Sequence, residues 1–263
     1  MKVFGKVVCK LAWEPQRTAF NQTLKVRAVN IVLVINDFFS EVTTLLFDMD
    51  NTLFDLVEAQ IAACRSVAWH LDQGDGEELF SYFMTSGHGF ESHENIRQYM
   101  EDRNIHGNDS YRTACRLYEK EKLRNIFPYE GVPGTLQSLN QQGYHMGIVT
   151  DACARDATLR LEHAGLLPFF CSMVSYDMVK VKKPSKDPFL FALEIMKARV
   201  CETVLIGDSP HRDIEPCRSL GIRTVYARYG DRFSGDRRGI AADFVIDALS
   251  ELPDILLEIQ GKT

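Results

Sequence analysis

The sequence predicts an α/β protein: a Rossmann-like parallel sheet with helices on both faces, interrupted by an inserted all-helical cap. Three observations predict it. Short apolar runs alternate with helical patterns along most of the chain, as repeated strand–helix units do. The strand-like runs show little polar alternation, which fits a sheet buried on both faces. The first two runs lie about 100 residues apart, where a single crossover helix needs far fewer. The expected organisation is an extension over residues 1–41, a core over 42–54 and 128–263, and a cap over 55–127.

Taken in order, Thr43–Phe47 (TTLLF) is the first strand and ends at an acidic cluster. Helical patterns follow at Leu56–Leu71, Glu77–Met84, Glu94–Asp102 and Ser110–Lys122. The stretch Phe127–Gly134 (FPYEGVPG), rich in proline and glycine, reads as a hinge back into the core. Further strands are expected at Tyr144–Val149, Cys171–Val174, Thr203–Ile206, Thr224–Tyr226 and Phe244–Ile246. Helices are expected at Arg155–Ala164, Pro188–Ala198, Ile214–Leu220 and Leu249–Ile259. From the second strand on, starts recur roughly every 20–30 residues, as right-handed crossovers require. The insertion leaves at the carboxyl end of the first strand, where open α/β sheets bind ligands, and is placed to act as a lid.

Composition narrows the function. With 45% hydrophobic and 25% charged residues, the 263-residue chain can bury a substantial core. Its apolar runs are too short for a membrane span. A net charge of -6 argues against a general affinity for nucleic-acid phosphates. The seven cysteines show neither a C-x-x-C pair nor zinc-type clustering, so free thiols in a reducing cytoplasm are expected. The start is basic, but Lys10 cuts one apolar run, and Val29–Ile35 is short and followed by Asn36 and Asp37. A cytoplasmic protein with an extension is therefore expected in preference to a signal peptide; the extension is either an extra strand near Ile31–Ile35 or upstream sequence outside the functional core.

Four motifs sit at or just after predicted strand ends. In Phe47-Asp48-Met49-Asp50-Asn51-Thr52-Leu53, two carboxylates two residues apart repel unless a cation lies between them or their protonation differs. Asp48 suits a nucleophile that forms an aspartyl-phosphate. Asp50 suits a general acid and base. Thr150, in Ile148-Val149-Thr150-Asp151, can donate to a phosphate oxygen. A lysine in Lys182-Lys183-Pro184 can neutralise a transferring phosphoryl group. In Ile206-Gly207-Asp208-Ser209-Pro210-His211-Arg212-Asp213, Asp208 can ligate Mg²⁺ and Asp213 can orient its surroundings. Singly, each motif has an ordinary reading as a turn, a helix cap or a solvated loop.

Together and in this order they resemble the haloacid dehalogenase-like (HAD) hydrolase superfamily, in the phosphatase branch whose helical cap lies between the first two motifs. The resemblance runs from about Thr43 to the strand–helix tail DFVIDALSELPDIL. It implies an Mg²⁺-dependent phosphatase acting on small phosphorylated metabolites. Asp48 is then the nucleophile and Asp50 the acid and base. Thr150, Asp151 and Lys183 contact the substrate phosphate. The metal is held by the Asp48 carboxylate, the Asp50 backbone carbonyl and Asp208, with Asp213 supporting. The motif K-P-S-K-D-P departs from the tighter K-P-x-P of relatives. Dehalogenating relatives lack the second acid, so Asp50 and Asp208 speak against that reaction. A sugar-phosphate mutase would keep all these residues, and a non-catalytic binding protein would be expected to have lost some. A cytoplasmic monomer or homodimer, with no nucleic-acid or membrane partner, completes the expectation.

Overall fold

The structure is a computed structural model that describes residues 41–72, 74–234 and 240–261. The strand considered near Ile31–Ile35 lies outside the described residues. Six parallel strands form one sheet in the order β3-β2-β1-β4-β5-β6. They are β1 (Thr44–Phe47), β2 (His145–Val149), β3 (Ser172–Val174), β4 (Thr203–Gly207), β5 (Arg223–Ala227) and β6 (Phe244–Ile246). Each falls within a residue of its predicted run.

The central strand alternates between two cores. Leu45 and Phe47 point to one face, where Val132, Leu136, Leu161 and Leu252 cover them. Leu46 points to the other, against Phe189, Ala192 and Cys217. That two-residue period explains why β1 and β4 are buried at every position although neither alternates polar with apolar. The covering helices are α5 (Val132–Gln141), α6 (Ala154–His163), α8 (Asp187–Met196), α9 (Glu215–Ser219) and α10 (Leu252–Ile259), with a short α7 at Tyr176–Val179. Phe47 is in register with Ile148 on one side and Ile206 on the other. Chain order reverses across β1, so the residues that follow β1, β2 and β4 meet at one crevice.

Four helices stand between β1 and β2: α1 (Leu56–His70), α2 (Gly76–Thr85), α3 (Glu94–Asp102) and α4 (Asn108–Arg124). The Asp55 side chain caps α1 by accepting from the Glu58 N–H at 2.9 Å. Asp75 caps α2 through the Glu78 N–H at 2.6 Å. The four share an apolar cluster of their own around Cys64, Val67, Leu79, Ile96 and Tyr118. Phe83 and Tyr118 stack within it, with centroids 4.9 Å apart.

Two local readings need correction. The hinge expected over 127–134 gives way to α5 at Val132, because Pro133 stands in that helix's first turn, where a missing N–H costs nothing. The helix expected from Ile214 is preceded by a wide π turn over Pro210–Ile214, closed by the Ser209 side chain accepting from the Arg212 N–H at 3.2 Å. The described cysteines are all free. No helix among the described residues is long and apolar enough to cross a membrane.

Candidate active site

Asp48 is the first residue past β1, and its N–H continues the sheet ladder to the Ile206 carbonyl at 2.9 Å. The backbone therefore aims its side chain without help from a flexible loop. One carboxylate oxygen accepts from Lys183 Nζ at 2.5 Å, the other from the Thr52 hydroxyl at 3.0 Å. Thr52 in turn accepts from the Asp208 N–H at 3.1 Å, tying the first motif to the fourth. Next to these, Asn51 takes a left-handed conformation (φ 65°) and starts α1, its side chain accepting from the Leu56 N–H at 3.1 Å.

Lys183 is 4% exposed, and Asp48, Asp208 and Asp213 are 4%, 2% and 0% exposed. The ammonium also reaches Asp213 at 2.7 Å and the Val149 carbonyl at 3.2 Å. The neighbouring Lys182 is exposed and lies over the Tyr176 ring, which separates the two lysines that sequence alone leaves side by side. Asp151 accepts from the Lys183 N–H at 2.9 Å and so anchors the loop carrying that lysine. Thr150 is buried, and its oxygen accepts from the Ala152 N–H at 3.1 Å, which leaves its hydroxyl hydrogen free to donate. Two glycines make room. A side chain at Gly207 would meet the Asp213 carboxyl at 2.8 Å, and one at Gly230 would meet the Asn51 carbonyl at 1.7 Å.

Charge does not balance in this buried group. Oxygens of Asp48, Asp208 and Asp213 lie within 4.8 Å of one another, facing the single buried ammonium of Lys183. Arg212, partly exposed at the rim, adds a second positive charge. Burial raises the Asp48 carboxyl, but Lys183 and Arg212 outweigh it and hold the group below its ordinary value. For Asp208 the balance goes the other way: burial, then Asp48 and Asp213, outweigh Arg212 and Lys183 and push it well above the usual carboxylate range. Its Oδ1 is buried with no hydrogen-bond partner among the described residues. An all-oxygen donor set with an orphaned carboxylate oxygen and surplus negative charge suits a hard divalent cation. Asp213 has both oxygens engaged, by Lys183 and by the Ser209 N–H at 3.1 Å, which suits support over direct ligation.

The Asp50 side chain goes elsewhere. Both of its oxygens accept from Arg160 Nη1 at 2.9 Å. Arg160 pairs with Glu91 through its other nitrogen. Burial raises the Asp50 carboxyl, Arg160 lowers it, and Glu91 and Asp48 raise it again, to about 6. Arg160 and Glu91 are the contacts that the motifs did not reveal. The available signal was a charged residue on the apolar stripe of a predicted helix, since the buried positions of α6 are Ala157, Arg160 and Leu161.

A cavity of about 670 Å³ opens over this group. Asp50, Lys183, Asp208 and Arg212 line its floor and rim, and Leu56, Met84, Phe90 and Phe233 supply apolar wall. Phe90 and Phe233 meet edge to face with centroids 5.8 Å apart, bringing the segment before α3 against the loop after β5.

Known proteins with this pattern are numerous. The model of the haloacid dehalogenase-like hydrolases matches residues 45–227. The pyrophosphatase PpaX of Bacillus mycoides is 29% identical over 223 residues, spanning 84% of this chain and 100% of the relative. The HAD-hydrolase YfnB of Bacillus subtilis, solved bound to magnesium, superposes with a TM-score of 0.64 at 21% identity, covering 82% of this chain and 99% of that one. A structure described as a β-phosphoglucomutase from Thermotoga maritima gives a TM-score of 0.70 at 22% identity, covering 82% and 98%.

Proposed function

The chain belongs to the haloacid dehalogenase-like hydrolases, and on that premise we propose that it hydrolyses small phosphate monoesters through an aspartyl-phosphate on Asp48. The observation that carries this reading is the pre-aimed Asp48 carboxyl group, held by Lys183 and Thr52 at the mouth of β1.

An Asp48 oxygen attacks phosphorus, and the bond from phosphorus to the leaving oxygen breaks. Asp50 gives its proton to that oxygen. Water then attacks the phosphorus of the aspartyl-phosphate while Asp50 takes a proton from it, and Asp48 is regenerated with release of phosphate. Thr150 and Lys183 hold the phosphoryl oxygens, with Asp151 at the cavity wall fixing the Lys183 loop. A bound Mg²⁺, held by the Asp48 and Asp208 carboxylates and the Asp50 carbonyl with Asp213 in support, would supply the neutralisation that the buried carboxylates lack.

The helices over 55–127 act as a cap in this account. The cap closes the cavity with Phe90 and Glu91, and the apolar wall faces the leaving group. The magnesium in YfnB and the phosphoanhydride hydrolysis named for PpaX support metal-assisted cleavage of a phosphorus–oxygen bond at this crevice, of which monoester hydrolysis is one form. Release of inorganic phosphate from a panel of phosphate esters and pyrophosphate, with Mg²⁺ and with chelator, tests the reading. Isomerised hexose phosphate without free phosphate would instead indicate a mutase. Turnover unaffected by chelator would remove the metal from the account.

A further inference from the structure

Arg160 is a costly residue where it stands. It is 2% exposed on a helix face that otherwise buries Ala157 and Leu161. An apolar side chain of similar volume would fill the position at least as stably, because a buried guanidinium must be fully paired to offset its lost hydration. Packing alone therefore does not account for it. What Arg160 holds is specific: the two oxygens of Asp50 through one nitrogen, at 2.9 Å each, and Glu91 through the other. Its planar fork suits the holding of two carboxylates in fixed orientation.

Glu91 belongs to the segment between α2 and α3 and is braced from behind. Lys122 of α4 reaches it at 3.4 Å and Glu119 at 3.0 Å. Glu119 in turn meets His93 at 2.8 Å. Alternating charges thus run from Asp50, beside the nucleophile, to α4, the last of the four inserted helices in the chain.

We infer that Arg160 is a positioning residue for the Asp50 carboxylate, and that Glu91 makes this positioning depend on the seating of the helical segment. The inference rests on the reading of Asp50 as the acid and base. With Glu91 in place, both arms of Arg160 are fixed and Asp50 faces the cavity in one orientation. With Glu91 withdrawn, the guanidinium loses one of its two anchors and the carboxylate is free to turn.

Leaving-group chemistry separates this role from a structural one. A nitrophenolate departs without a proton, whereas an alkoxide needs one, so losing the acid's orientation harms alkyl phosphates far more. Arg160→Met should lower kcat/KM for an alkyl phosphate by about 100-fold, and for p-nitrophenyl phosphate by less than about 5-fold. Glu91→Gln should show the same asymmetry at smaller amplitude, and Arg160→Lys should recover part of the loss. Arg160→Met placed on Asp50→Asn should cost the alkyl substrate nothing further, since the two residues act as a unit. Equal losses on both substrates, or additive losses in the double variant, would overturn the inference. If Arg160→Met fails to fold, Arg160→Lys and Glu91→Gln carry the same comparison. An Asp48→Asn enzyme that remains active defeats the underlying reading instead, so the two failures are distinguishable.

Discussion

The α/β layer and the inserted helices reach the cavity by different means. The layer places Asp48, Thr150 and Asp208 directly after strands whose register is fixed, so their positions follow from the sheet ladder. The helices have their own apolar cluster and reach the cavity through Leu56 of α1, Met84 of α2 and the segment before α3 that carries Phe90 and Glu91. The first arrangement is rigid by construction; the second is joined to the first by ion pairs and an aromatic edge contact. On the proposed function, the chemistry would sit in the layer whose strand register is fixed, and its control in the helices that side-chain contacts join to it.

The strongest way to break this division is Asp48→Asn. Phosphate release should fall by on the order of 10⁴-fold or more while the fold and its melting curve persist. A variant within tenfold of wild type would show that the layer's chemistry lies elsewhere.

Next in size is Phe83→Ala, which removes a ring that is 2% exposed and stacked on Tyr118 in the helical cluster. It should lower unfolding free energy by about 3–5 kcal/mol in a denaturant titration, with Asp48 still competent toward p-nitrophenyl phosphate. An unchanged midpoint would mean that the helices do not depend on that core.

A third contrast concerns the cation. At Mg²⁺ about a hundredfold above its dissociation constant, wild type should gain roughly 2.7 kcal/mol of stability. Asp208→Asn should lose that gain, and calorimetric titration of the metal alone reports it without any assay of turnover. Equal gains in both proteins would place the ion away from Asp208.

How much of this is legible in the sequence depends on how each residue acts. Asp48 and Asp208 belong to short motifs that directly follow strands, and a strand end is readable from an apolar run, whereas Lys183 lies beyond α7 and is marked by its Lys–Pro pair. Arg160 and Glu91 meet across 69 positions of chain, and neither sits in a motif. Arg160 was nonetheless marked by chemistry, as a cation on a buried stripe, whereas Glu91 lies in an irregular segment with no periodicity to read. The same reason hid α5: proline and glycine marked a break at 127–134, while only the structure shows that Pro133 opens a helix.

The smallest effect is expected at Glu119. Burial raises its carboxyl, but the His93 hydrogen bond and Lys122 lower it further, from 4.5 to about 2. A group depressed in the native state adds stability above its unfolded value and loses it as pH falls toward its folded one. The stability difference between wild type and Glu119→Gln should therefore be present at about pH 6 and shrink from about pH 4.5 downward. A difference independent of pH would assign the effect to packing.

The proposed reaction passes through a covalent bond between Asp48 and phosphorus. Acid quenching during steady turnover, followed by peptide mass spectrometry, tests it most directly. The prediction is one phosphoryl group on the peptide containing Asp48, absent from Asp48→Asn. A phosphoryl group on any other residue, or steady turnover by the Asp48→Asn protein, would contradict it.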